Sequence, residues 1–183
     1  VGREALVIGG SGMLSKVSIW LAQEGYHVSI VGRDRSRLER VAKDSSTPDR
    51  FTLLDLDYQE SAVLQQAMLR LRLERGGMDL VVSWIHQTAP AALAIIQQAF
   101  ASQEKEWRLY HVCGSRAWID PPTIQEVPSC LYRRIILGFV PGEPASRWLT
   151  NDEIAPGVIQ AVKADQPQAI VGSVEPWGRR PGY

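Results

Sequence analysis

Short apolar, largely β-branched runs alternate along this chain with stretches whose apolar positions recur every three or four residues. The first run, Ala5 to Ile8, stops in Gly9-Gly10-Ser11-Gly12. This pattern predicts a strand over residues 4–9, then a helix from Met13 to Glu24 with Leu14, Val17 and Leu21 inward. Gly25 ends that helix, and Tyr26 to Val31 reads as the second strand. Asp34 or Ser36 can cap a second helix whose inner face is Leu38, Val41 and Ala42. After a loop over residues 44–49, Phe51 to Leu54 makes a third strand ending at Asp55. Asp57 and Glu60 have capping-box spacing and predict a third helix, with Leu64, Ala67, Met68 and Leu71 inward, stopped by Gly76-Gly77. Leu80 to Ser83 is a fourth strand, and Pro90 suits the first turn of a helix running to Ala101. Arg108 to Cys113 is the fifth strand, closed by Gly114-Ser115.

From Arg116 to Pro128 the pattern breaks, and Pro121, Pro122 and Pro128 argue against a long regular helix. Tyr132 to Val140 predicts a sixth strand. Thr150 and Glu153 form another capping box before Ile154, Val158 and Val162, with Pro156 kinking or restarting the helix. Gln168 to Gly172 makes a short last strand, and the tail over residues 176–182 is irregular. Alternating strands and helices with continuously apolar strands mean a parallel sheet covered on both faces. With right-handed crossovers, this is the α/β doubly wound parallel sheet of the Rossmann fold, a three-layer α/β/α arrangement of about seven strands. The expected order is 3-2-1-4-5-6 with the seventh strand at the edge. The loops after residues 9, 31, 55, 83, 114 and 140 then line one crevice at the C-terminal strand ends.

Composition narrows the function classes. A length of 183 residues predicts one domain over 1–183. Hydrophobic content of 45% and charged content of 22% are those of a globular chain. Lys+Arg 20 balances Asp+Glu 20, so nothing points to nucleic acid as a partner. The run from Arg70 to Arg75 reads as a solvated helix face. Cys113 and Cys130 form no C-x-x-C, which points to a reduced, cytoplasmic protein. No apolar run is long enough to span a membrane, and the start lacks the features of a signal peptide. The three histidines have no metal-ligand spacing, so no metal site is expected. The six tryptophans read as core and interface anchors.

The first loop carries the first chemistry. Gly9, Gly12 and Ser15 are in phase as G-x-x-G-x-x-S, close to a dinucleotide-binding fingerprint. Gly9 would make the sharp turn, and Gly12 would let a pyrophosphate approach the backbone. The first amides of the next helix would hold the anion. Ser15 stands where a third glycine or alanine normally allows close helix–strand packing. At the end of the second strand, an acid would select NAD by taking the ribose 2′-hydroxyl. Arg33 occupies that place, with Arg35 and Arg37 nearby, and a guanidinium fork suits a 2′-phosphate. The expected cofactor is therefore NADP(H) rather than NAD(H), with Asp34 on the ribose as the alternative. Asp55 can accept from the adenine amino group with Leu56 on the ring edge, and Ser83-Trp84 would meet the ribose of the nicotinamide half.

Together these segments resemble the short-chain dehydrogenase/reductase superfamily, especially atypical members with a G-G-x-G-x-L start. The phosphate loop corresponds to Gly9, Gly10, Ser11, Gly12, Met13 and Leu14. Gly32-Arg33-Asp34 is similar to the NADP-selecting turn, and Asp55-Leu56 to the adenine clamp. Met78 to Ser83 sits where an asparagine-rich segment begins in that family, although no asparagine occurs here. Val112 to Ser115 resembles the strand with the catalytic serine, and Pro141-Gly142 resembles the turn over the nicotinamide. The resemblance also implies a proton-donating Tyr with a Lys four residues later. Here Tyr132 is followed at that spacing by Ile136, and no Lys occurs between Lys105 and Lys163.

What remains near the nicotinamide is Ser83, His86, His111, Ser115, Arg116 and Tyr132. His86, Ser115 and Tyr132 are the catalytic candidates, with His86 the best substitute acid because imidazole titrates near neutrality. His111 and Cys113 alternate along a buried strand and read as core. Two functions stay open: an NADP(H)-dependent oxidoreductase on a small carbonyl or quinone-type substrate, and a catalytically silent NADP(H)-sensing module. By analogy with the family, the last strand and the Trp177 tail could pair subunits into a homo-oligomer.

Overall fold

The computed structural model describes residues 2–182, so Val1 and Tyr183 lie outside the described residues. Among the described residues, nine strands and five α-helices follow one another. The strands are β1 (Arg3–Ile8), β2 (Tyr26–Gly32), β3 (Phe51–Asp55), β4 (Leu80–Trp84), β5 (Trp107–Gly114), β6 (Cys130–Leu137), β7 (Phe139–Val140), β8 (Arg147–Trp148) and β9 (Gln168–Val171). The helices are α1 (Ser15–Gln23), α2 (Arg35–Asp44), α3 (Ser61–Arg75), α4 (Ala92–Phe100) and α5 (Asn151–Ala164). Seven strands form one sheet in the order β3-β2-β1-β4-β5-β6-β9, and every neighbouring pair is parallel. The strand order reverses between β1 and β4, where a crevice opens at the C-terminal ends.

Two apolar layers hold the helices to the sheet. On one face, Val17 and Leu21 of α1, Leu38 and Val41 of α2, and Ile154 and Val158 of α5 meet Val7, Ile30 and Val82. On the other, Leu64 and Met68 of α3 and Ile96 and Phe100 of α4 meet Leu6, Val81 and Leu109. Because side chains alternate along a strand, one apolar strand supplies both layers. The result is the three-layer α/β/α Rossmann-type fold.

Several boundaries differ from expectation, each for a local reason. Helix α1 begins at Ser15 rather than Met13, because the Gly12 and Leu14 amides turn back to the Gly9 carbonyl. The Asp57–Glu60 capping box does not form. The Leu56 amide still donates to the Gly32 carbonyl, so the chain stays extended to that point, and Glu60 becomes the N-cap without a side-chain bond. Asp57 instead accepts from the Gln59 amide at 2.9 Å. Pro90 lies in the turn before α4 rather than in its first turn. The sixth strand starts two residues early at Cys130 and breaks at Gly138. There the chain leaves β9 to pair Phe139 with Trp148 and Ser173, and a Cβ on Gly138 would collide with the Ser173 carbonyl oxygen. Asp34 caps α2 as expected, and the Thr150–Glu153 box opens α5, which runs through Pro156 as one helix.

One crossover has no helix. Strand β5 passes to β6 through a short 3-10 turn, Ser115–Trp118, and then an irregular segment to Ser129. Parallel neighbours usually receive a helix in this connection. The three prolines exclude one here, and the segment is tied to α4 instead. The buried Gln97 amide donates to the Gln125 carbonyl at 2.8 Å, and the Ser129 hydroxyl donates to Ala101.

Candidate functional site

The glycine loop leaves β1 through Gly9 at φ +83°, the left-handed conformation that glycine permits without strain. A Cβ on Gly12 would meet nothing within 4 Å, so the loop's outer side is open. Leu14 caps α1 without a side-chain bond, and no acid lies in the first turn. The positive end of the helix dipole therefore faces the loop, while the Gly12 and Leu14 amides donate to the Gly9 carbonyl and the Ser15 amide to the Gly12 carbonyl. Close packing is carried by Gly10, not by the residue at Ser15. A Cβ at Gly10 would stand 2.8 Å from the Ser18 hydroxyl, 3.0 Å from Ile30 and 3.1 Å from Val7. Gly10→Ala is expected to cost about 1–2 kcal/mol, because the α1–β2 contact is already filled. Urea unfolding checks this as a lower midpoint at unchanged slope.

Beyond the loop, Ser11 leans over Gly32 at the end of β2. Arg33 follows there with its side chain 69% exposed and one nitrogen 3.8 Å from Asp57. Asp34 is occupied locally: its carboxylate accepts from the Ser36 hydroxyl at 2.6 Å and the Arg37 amide at 3.2 Å. Those bonds hold its pKa below the usual carboxylate range. Asp55 is exposed beside Gly32 in register, with Leu56 half-buried next to it. Ser83 is fully buried at the end of β4, and Trp84 packs beside Gly9, its Cβ 3.5 Å from where a Gly9 Cβ would stand. Pro141 and Gly142 lie in the β7–β8 turn, where Arg179 donates to the Gly142 carbonyl at 3.2 Å.

No family model matches the chain, and no curated protein sequence matches it. Solved structures do. The Pseudomonas aeruginosa RhlG/NADP active-site complex is 16% identical over 94% of this chain and 95% of that one, with a TM-score of 0.68. A short-chain dehydrogenase/reductase from Serratia marcescens is 16% identical over 93% and 97%, at 0.69. A metagenomic short-chain oxidoreductase in complex with NADP is 16% identical over 94% and 96%, at 0.66. The likeness is one of fold.

The helix-free crossover leaves a cavity of about 680 Å³ between α4, the end of β5 and residues 116–125. That volume lies within the range of small-molecule sites. Trp84 joins the cavity to the glycine loop, since it lines the one and packs on the other. His86 is exposed at the cavity mouth, with Nδ1 3.3 Å from the Thr88 hydroxyl. Ser115 is buried in the 3-10 turn and is not among the lining residues, although its neighbours Gly114 and Arg116 are. Tyr132 stands near the start of β6, its hydroxyl 2.9 Å from Nδ1 of His111. Burial raises the Tyr132 phenol well above its ordinary pKa. Of the three catalytic candidates, then, only His86 lines the cavity.

His111 and Cys113, expected as core, form part of the cavity floor. Burial pushes the Cys113 thiol up to about 12, so it stays protonated near neutral pH. Gln97 is the lining residue that pattern reading misses, and His111, placed near the nicotinamide, reads there as core, because helical spacing and strand alternation make both look buried. The available signal was the proline-broken segment that follows β5: with no helix there, an inward polar residue has nothing to cover it. Among the described residues no cluster could hold a metal ion, and no helix is long and apolar enough to cross a membrane.

Proposed function

We propose that this chain belongs to the short-chain dehydrogenase/reductase superfamily and binds NADP(H), in preference to NAD(H), across the C-terminal ends of β1 to β4. In this reading it is an oxidoreductase acting on a carbonyl or quinone-type substrate held in the cavity. The carrying observation is the adjacency of the anion-ready loop and the cavity through Trp84. Residues Gly9 to Leu14 would hold the pyrophosphate at the positive end of α1. Arg33 would take the 2′-phosphate, a role supported by Asp34 being engaged as a cap. Asp55 and Leu56 would hold the adenine, Ser83 and Trp84 the second ribose, and Pro141-Gly142 the nicotinamide side. When bound, the dinucleotide supplies or accepts a hydride.

The chain's own contribution is orientation and proton handling. His86 would hold a proton for the substrate oxygen at the cavity mouth, steadied by Thr88. The sequence contains no Tyr with a Lys four residues later, so the proton donor is non-standard. A second reading, a silent NADP(H)-sensing module, is favoured by that absence and by the burial of Ser115. The free thiols of Cys113 and Cys130 support a reducing, cytoplasmic setting. The open edge of β9, with Ile170 exposed, supports pairing of two copies.

Tryptophan quenching by NADPH, followed by a turnover screen with aldehydes, ketones and quinones, tests both readings. NADPH oxidation that is lost in His86→Ala is the expected result. Oxidation that survives this change would reject His86 as the donor but keep the enzyme. Tight binding with no turnover on any class would favour the sensor.

A further inference from the structure

The cavity floor holds a polar pair that the reaction proposed above does not use. His111 and Tyr132 lie on the same face of neighbouring strands, their rings edge to face at 5.9 Å. The Tyr132 hydroxyl and His111 Nδ1, 2.9 Å apart, are each other's hydrogen-bond partners among the described residues. Two arrangements are possible in principle. If Nδ1–H donated to the phenol oxygen, the phenolic proton would have no acceptor in a half-buried site, at the cost of an unmade bond. If the phenol donates to Nδ1, the phenol is satisfied and the imidazole proton sits on Nε2, for which the described residues supply no acceptor.

The environment keeps this ring neutral. Burial and the Arg134 guanidinium, in register on β6, push the His111 pKa down to about 4. Arg134 donates to the Gln168 side chain through Nε and Nη2, which holds that edge of its guanidinium towards β9. The walls mix apolar Ile85, Leu93, Pro122 and Ile124 with Gln97, while the lining's charged pair, Arg116 and Asp120, is largely exposed. His111 lies three residues before Gly114, the end of β5, and therefore about 10 Å below the rim at the rise of a strand. A carboxylate brought to that depth would lose its water for one neutral donor, which does not compensate it. A carbonyl oxygen needs only one donor.

We propose that His111 is a binding residue for the inner end of an elongated, mostly apolar substrate, donating Nε2–H to a neutral carbonyl oxygen such as that of a ketone, ester or amide. Tyr132 is the positioning residue that fixes the His111 tautomer. The inference rests on the cavity being the substrate site of the function proposed above, and it adds the substrate class: an apolar chain with an uncharged acceptor at its buried end.

The test uses heptan-2-one and 2-methylhept-1-ene as probes, since the second replaces the carbonyl oxygen by a methylene of the same shape. With histidine labelled in nitrogen-15, two-bond proton–nitrogen correlation spectra read the ring directly. The expected result is the Nε2–H tautomer for His111 at neutral pH, perturbed on adding the ketone and not on adding the alkene. The ketone should bind about fivefold more tightly, the worth of one hydrogen bond. Combining His111→Leu with Tyr132→Phe removes both partners without leaving either unpaired, and should abolish or reverse the preference for the ketone, because its buried carbonyl then has no donor. An Nδ1–H tautomer, equal affinities in the unaltered protein, or a ketone that fails to bind or leaves His111 undisturbed would each overturn the proposal. An NADPH titration of the same sample reads the dinucleotide proposal separately. Its failure beside a responding His111 would refute that reading alone.

Discussion

Arg33→Ala is expected to weaken NADPH binding about thirtyfold, with NADH affinity changed by less than about twofold. The magnitude follows from about 2 kcal/mol for a charge-assisted contact to a phosphate that only NADPH carries. The fold should not suffer, because the Arg33 side chain is 69% exposed and its contact with Asp57 is 3.8 Å long. Exposed ion pairs of that kind contribute little. Asp34 offers no substitute reader, as its carboxylate already accepts from Ser36 and Arg37. Tryptophan quenching with the two dinucleotides in parallel makes the measurement. Equal losses for both would remove Arg33 from the 2′ position.

The second large effect is on stability in mild acid. His111 in the folded protein titrates at about 4, well below its ordinary 6.5, because burial first and Arg134 second penalise the imidazolium. Between these values the unfolded chain binds a proton that the folded one does not. Stability from this group is thus fully present above pH 6.5 and is lost as pH falls towards 4. The loss amounts to about 3 kcal/mol, at 1.36 kcal/mol for each pH unit. His27, also lowered by burial and by Arg75 and Arg50, acts in the same direction. Urea unfolding at pH 7 and pH 4.5 should therefore give a much lower midpoint in acid. The protein combining His111→Leu with Tyr132→Phe should show a visibly flatter dependence. If both proteins lose stability in parallel, His111 is not the cause.

Most of the scaffold was legible from local pattern. Continuous apolar strands separated by amphipathic helices imply a buried parallel sheet, and right-handed crossovers leave little freedom in strand order. The edges of elements were less legible, because they depend on partners far along the chain. Gly138 ends β6 only because Ser173 passes against it, and Asp57 loses its capping role only because Gly32 keeps Leu56 in the ladder.

For the site, the glycine run, Arg33 and Asp55 could be named because strand ends in this fold gather in one crevice whatever their separation in sequence. The sequence alone also shows Ile136 four residues after Tyr132, and prolines that argue against a helix after β5. Only the tertiary structure decided what stands in the place of that helix. It is a cavity with His111 on its floor, a buried Ser115, and a Tyr132 turned to His111 rather than to the rim. The physical reason is that alternation along a strand tells which face a side chain takes, but not what covers that face. Coverage is settled by distant segments, here α4 and the stretch 116–129, tethered by bonds from Gln97 to Gln125 and from Ser129 to Ala101 that no local pattern encodes.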